Sequence, residues 1–119
     1  MTANPETIIL NECLYLLNMY PGVIARRVNT AGVYNEERGA YMKAGNMAAR
    51  GNADILIRAK GIVIFLEIKT PTGTLNDNQK EFKADCEATQ TNYEVARCKQ
   101  DALNILRKYH IIGHELEGI

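Results

Sequence analysis

Gly51-Asn52-Ala53-Asp54-Ile55-Leu56-Ile57-Arg58, then Ala59-Lys60-Gly61, then Ile62-Val63-Ile64-Phe65-Leu66-Glu67-Ile68-Lys69 is the stretch around which the rest of the chain is arranged. Two apolar, β-rich runs flank a short turn-like segment, which is the pattern of a β-hairpin. With Lys60-Gly61 as the two-residue loop, Ala59 pairs with Ile62, and counting back along both strands sets Asp54 opposite Glu67. Directly opposed residues share a face with Cβ atoms about 4.5–5.5 Å apart, and like charges there are destabilising. Lys69 lies two positions beyond Glu67 and shares its face. A turn aspartate or a same-face Glu–Lys ion pair is ordinary taken singly. Two carboxylates and a lysine at one end of one face of so apolar a sheet are not. A divalent cation between the carboxylates would remove the repulsion, and oxygen ligands of this kind suit Mg²⁺ or Mn²⁺.

The chain has 119 residues, enough for one domain with a single core. Apolar content of 46% and charged content of 24% are those of a soluble globular protein. No run approaches the roughly 18–20 apolar residues of a membrane-spanning helix. Met1-Thr2-Ala3-Asn4-Pro5-Glu6 lacks the basic start and apolar core of a signal peptide, so a cytoplasmic location is expected. Cys13, Cys86 and Cys98 are odd in number and lack a CxxC pair, which reads as reduced core thiols. Fourteen basic and fourteen acidic side chains cancel. Any nucleic-acid binding must therefore use a local patch, which argues against a non-specific DNA coat protein.

Asn4-Pro5-Glu6 has the form of a helix start, with Asn as N-cap, Pro at the first helical position and an acid in the first turn. The helix is expected to run to about Asn18 and stop before Pro21-Gly22. Its apolar residues cover more than half the circumference, so it should be largely buried. Glu12 stands four residues after Ile8 and four before Leu16, within an apolar stripe. It is either a border glutamate reaching water or a carboxylate that reaches the metal site. Val23–Asn29 reads as a strand, with Ile24, Arg26 and Val28 on one face and Ala25, Arg27 and Asn29 on the other. Arg26 and Arg27 are candidates for phosphate contact or simply solvated. From Thr30 to Arg50 periodicity breaks down, and a connection this long is unusual in a small domain. Tyr34, Arg38, Tyr41, Lys43 and Arg50 suit a nucleic-acid backbone; a spacer packed over a dimer partner is the alternative.

After the hairpin, Asn76-Asp77-Asn78-Gln79 has the form of a capping box. Leu75, Gln79, Phe82 and Cys86 then make one face of a helix expected to end near Gln90. That places Gln79 at the helix end nearest Glu67-Ile68-Lys69, where it completes the cap, binds a water or orients Lys69. Tyr93–Arg97 reads as a strand returning parallel to the Glu67 strand through a right-handed crossover. Asp101–Tyr109 reads as a last amphipathic helix with basic residues at its C-terminal end. His110 and His114 are four apart, but Gly113 between them and the lack of a third ligand argue against a metal site.

Helix with Glu12, strand, Gly51-x-x-Asp54, Glu67-Ile68-Lys69, Gln79, strand and helix together resemble the VRR-NUC branch of the PD-(D/E)xK nucleases in its minimal stand-alone form. The resemblance spans roughly residues 8 to 107. It implies an α/β, restriction-endonuclease-like core: a central mixed sheet of about four strands flanked by helices in αβββαβα order. By the same resemblance Asp54 and Glu67 would ligate metal, Lys69 would stabilise the nucleophile or transition state, and Glu12 and Gln79 would support the site. The Ile68 carbonyl would be a further metal ligand, and Arg26, Arg27, Lys43 and Arg50 would meet nucleic acid. Family members often carry Pro before the motif aspartate where this chain has Ala53, which removes turn stiffness but no reacting group.

The resemblance implies a Mg²⁺- or Mn²⁺-dependent DNA endonuclease, acting on structured or branched DNA in replication, repair or recombination, and working as a homodimer. The main rival is a non-catalytic DNA- or partner-binding module on the same fold, which should have lost at least one of Asp54, Glu67, Lys69 and Gln79. A hydrolase of a smaller phosphate ester should show a phosphate cradle such as Gly-x-x-x-x-Gly-Lys, and the chain has none. A purely structural protein is weakest, because charge buried on one strand face would lower stability.

Overall fold

The computed structural model describes residues 4–28, 33–35, 40–42 and 51–113. Helix α1 spans Pro5–Asn18; the Asn4 side chain accepts from the Glu6 N–H at 2.8 Å, and Pro5 occupies the first turn where no donor is needed. The chain then turns through Gly22, whose φ of 82° suits glycine, into strand β1, Val23–Arg27. Strands β4 (Ile55–Ala59) and β5 (Ile62–Ile68) form the hairpin read from the sequence. Ala59 pairs with Ile62 and Ile55 with Leu66, which is the anticipated register.

Helix α2, Asp77–Ala88, carries the complete capping box and ends two residues short of the expected Gln90. Strand β6, Asn92–Ala96, returns parallel to β5, with Glu67 beside Val95. Helix α3, Lys99–Lys108, closes the order. The four-stranded sheet runs β1-β4-β5-β6, antiparallel except for the last pair. Without the segment between β1 and β4 this is the αβββαβα order.

That segment differs from expectation. Thr30–Arg50 reads as an unpatterned connection, yet it contains β2 (Val33–Asn35) and β3 (Ala40–Met42), an antiparallel pair in a sheet of its own. Three-residue strands are too short to show the alternation by which strands are recognised. Arg38, Lys43, Arg50 and His114 lie outside the described residues, so the nucleic-acid readings made for Lys43 and Arg50 fall there too.

One sheet face carries Val23 and Ala25, Ile55 and Ile57, and Ile64, Leu66 and Ile68, all buried. Against it lie Leu10, Cys13 and Leu17 of α1 and Ala102, Ile105 and Leu106 of α3. Each fully buried Leu or Ile contributes about 1.5–3 kcal/mol, so this layer holds the sheet and fixes the direction of the opposite face. At the end of α1, Asn18 Nδ2 donates to the Leu14 and Ala25 carbonyls at 2.9 and 3.0 Å, and the Ala25 N–H donates to Asn18 Oδ1 at 2.9 Å.

In the hairpin loop Lys60 has φ 50° and Gly61 φ 75°, the two left-handed positions of a type I′ turn. Lysine is a poor occupant of that region, whereas asparagine is favoured there. Lys60→Asn is expected to raise stability by about 0.5–1 kcal/mol. Urea unfolding should show a higher midpoint at unchanged slope.

Candidate active site

The second face of the sheet carries the unusual groups, and the register puts them there. Asp54 immediately precedes β4, its carbonyl accepting from the Val28 N–H at 2.8 Å and its Oδ2 from the Ile68 N–H at 2.8 Å. The carboxylate is thereby held across the end of the hairpin, next to Glu67. In extended backbone a residue's N–H and C=O point to the same side, so the Ile68 carbonyl is aimed toward Asp54 as well.

Glu67 is 1% exposed and Lys69 7%, the two buried charged residues among the described residues. Gln79 Nε2 donates to Glu67 Oε2 at 3.2 Å, while Glu67 Oε1 is buried and receives no donor. Burial pushes the Glu67 carboxyl up from 4.5 to about 9; the neighbouring Asp54 carboxyl adds to the rise, Lys69 opposes it and Glu6 adds a little. Two neighbouring carboxyl groups repel unless one keeps its proton. The repulsion is therefore relieved at neutral pH by a proton, or a cation, between the oxygens.

Gln79 does two things at once. Its Oε1 accepts from the Asn76 N–H at 2.9 Å to complete the cap, and its Nε2 reaches Glu67. The partner is thus Glu67 rather than Lys69. Gly51 explains how α2 comes so close: its φ is 70°, and a Cβ there would lie 2.2 Å from the Asn78 carbonyl oxygen. Gly51→Ala is expected to cost about 2–4 kcal/mol through backbone strain and overlap. It should also detach Gln79 from Glu67, a displacement visible as amide shift changes confined to the first turn of α2 and to β5.

Lys69 lies under the loop that follows β5. The Arg97 guanidinium ties that loop down, one nitrogen donating to the Thr70 and Gly73 carbonyls at 2.7 Å each. A Cβ on Gly73 would sit 3.5 Å from Lys69 Cδ, so the loop walls the lysine stem. Among the described residues no ion pair or hydrogen bond holds the Lys69 ammonium.

The structure does not bring Glu12 to this site. It is exposed on α1, and its charge acts on Cys13, beside Cys98 and Asp101. The α1 carboxylate felt by Glu67 is Glu6. The buried stripe of α1 is Leu10, Cys13 and Leu17, and counting back four from Leu10 reaches Glu6. At i, i+4 spacing it is thus Glu6, not Glu12, that lies in line with the buried stripe.

Arg26 and Arg27 are both exposed but point to opposite faces, only Arg26 to that of the site. The register adds Arg58, passed over in the sequence: it pairs with Ile24 and Val63 on that same face and is exposed. Neither Arg26 nor Arg58 is in an ion pair among the described residues. Helix α2 covers the β5–β6 half through Phe82 against Phe65 and Tyr93. The β1 border and the hairpin-loop end of this face stay open, with Ile24 on β1 42% and Val63 on β5 41% exposed.

The donor set suits a hard cation. Among the described residues no three His, Cys, Asp or Glu side chains converge on one point. Mg²⁺ needs only one or two carboxylates, a carbonyl and water, and an acceptor oxygen buried without a donor is the position such an ion fills.

A mixed four-stranded sheet between helices, with Asp and Glu-x-Lys side chains at one end of its central hairpin, is a restriction-endonuclease-like α/β architecture. The fold is similar to that of a solved structure titled VRR_NUC domain: TM-score 0.63, 14% identity, 91% of this chain and 99% of that one covered. The fold is thus that of a VRR_NUC domain. No family model and no curated protein matches the sequence.

Proposed function

We propose that the chain is a Mg²⁺- or Mn²⁺-dependent DNA endonuclease that hydrolyses phosphodiester bonds in structured or branched DNA. The observation that carries this reading is Glu67: a buried carboxyl paired with Asp54, tethered by Gln79 and left with one oxygen lacking a donor. Such a group lowers stability unless something is bound to it. A fold match to a VRR_NUC domain agrees with the reading.

In this reading Asp54, Glu67 and the Ile68 carbonyl would hold the ion, and the Glu6 charge, which Glu67 feels, would adjust the charge balance. The chemistry supplied by a bound divalent ion is a polarised phosphate and a more acidic water. Glu67 would give up its proton to solvent on holding such an ion. The Ile68 N–H keeps Asp54 aimed, and the Gln79 amide fixes one Glu67 oxygen so that the other faces the ligand. Lys69, walled on its stem by the 70–73 loop, presents a fixed positive charge to the phosphate as negative charge accumulates in the transition state. Arg26 and Arg58 provide cations for the DNA backbone on the open part of the same face. The homodimer belongs to this reading because two copies would place two such sites on the two strands of a branch. No described helix is long and apolar enough to cross a membrane.

The test is cleavage of matched linear, flapped and four-way DNA with Mg²⁺ or Mn²⁺ and with chelator. Metal-dependent cleavage supports the nuclease, and the preferred substrate names its role. Binding of DNA without cleavage in either metal would transfer the reading to a non-catalytic module. Sedimentation of the same samples reports the dimer.

A further inference from the structure

Tyr93 stands on the site face of β6, one strand from Glu67 and diagonal to it, because Phe65 pairs with Tyr93 and Glu67 with Val95. Strands about 4.7–4.9 Å apart with a rise of about 3.3 Å per residue put such diagonal neighbours about 8 Å apart, within reach of an aromatic side chain. The ring is fixed by an aromatic stack. Phe82 meets Phe65 edge-on at 5.2 Å between centroids and Tyr93 at 6.0 Å. A phenylalanine would complete that stack equally well. The hydroxyl is buried and has no hydrogen-bond partner, although buried tyrosine hydroxyls usually have one. Its acidity is lowered by burial first, then by the charges of Glu67, Cys86 and Asp54. Two polar atoms without partners, Glu67 Oε1 and the Tyr93 hydroxyl, thus belong to residues on one sheet face, one strand apart.

The geometry points to Tyr93 as a further positioning residue of the active site, its hydroxyl donating to a water oxygen held between it and the Asp54–Glu67 pair when the site is loaded. The inference rests on the metal-nuclease reading above. A buried hydroxyl without a partner is destabilising, and that penalty lasts only until such an oxygen arrives. The role resembles the outer hydrogen bonds that orient ligands at metal centres, whose loss typically lowers metal affinity or activity about 10–100-fold.

Tyr93→Phe keeps the stack and deletes only the hydroxyl. Three measurements are made on wild type, Tyr93→Phe and Glu67→Gln: Mn²⁺ affinity by calorimetry, the melting temperature without metal, and steady-state cleavage. Tyr93→Phe is expected to bind Mn²⁺ about 10-fold more weakly and to cleave about 10–100-fold more slowly, with the loss in kcat rather than KM. Its metal-free melting temperature should be unchanged or higher. A purely structural hydroxyl would instead lower the melting temperature and leave Mn²⁺ affinity alone, and that result overturns the inference. Wild-type Mn²⁺ binding that Glu67→Gln abolishes and Tyr93→Phe leaves intact overturns it while sparing the nuclease reading. No Mn²⁺ binding by wild type overturns both.

Discussion

Glu67→Gln is expected to abolish cleavage and, without metal, to make the protein more stable at pH 8. The two effects share a cause. The folded state holds the Glu67 proton up to about pH 9, whereas an ordinary glutamate has released it above 4.5. Between those values the folded state binds more protons than the unfolded one, so stability is greatest at low pH and falls as pH rises through the window. Glutamine has no proton to lose and retains an acceptor for Gln79, so the variant's melting temperature should stay flat where that of wild type declines. Divalent cation should reverse the decline for wild type only, since binding requires the ionised carboxylate and releases its proton. Cleavage should fall by roughly 10²–10³ or more, the scale set by removing one charge-stabilising group. Thermal melts from pH 5 to 9, with and without Mg²⁺, check the linkage. A wild-type curve that rises with pH would mean that Glu67 is not the protonated partner.

Lys69→Ala should reduce the rate by about 10²–10³ as well, but by another route. The lysine would supply charge to the transition state, and its charge also lowers the Glu67 pKa. Its loss should leave a site that still binds Mn²⁺, with affinity displaced to higher pH, whereas Glu67→Gln should fail to bind at every pH. Lys69→Arg should not rescue, because the stem is enclosed by the 70–73 loop and a planar guanidinium cannot take the place of a compact ammonium. Single-turnover cleavage beside calorimetric Mn²⁺ titration across pH separates the two variants. Equal loss of metal binding in both would remove the distinction drawn between ligand and electrostatic group.

The hairpin was legible because its loop admits one register and alternation then follows without choice: Asp54, Glu67 and Lys69 have to meet. The capped helix was legible for a similar reason, since Asn76 and Gln79 satisfy local donors before any tertiary contact forms. What stayed hidden was set by packing. Helix α1 is apolar on most sides, so its sequence offers several stripes, and only the sheet selects the one that ends at Glu6 rather than Glu12. Gln79 could be placed near the strand end, but whether it bonded Glu67 or Lys69 depended on how closely Gly51 lets α2 approach. Arg58 was concealed by context: as one charged residue in an apolar strand it passes for a solvated edge until the register aligns it with Arg26. Tyr93 gives no signal at all, because an aromatic residue in a strand is what any core contains.

Strand β1 lies at the border of the sheet, where a row of unused peptide groups would normally invite another chain to attach. Asn18 closes it. One carboxamide gives Ala25 both a donor and an acceptor, as an adjoining strand would, and the Tyr20 carbonyl accepts from the Val23 N–H. The helix therefore does more than roof the core. With its last residue it terminates the sheet, so protection from cross-chain aggregation on that side comes from an intramolecular counterfeit of a neighbouring strand.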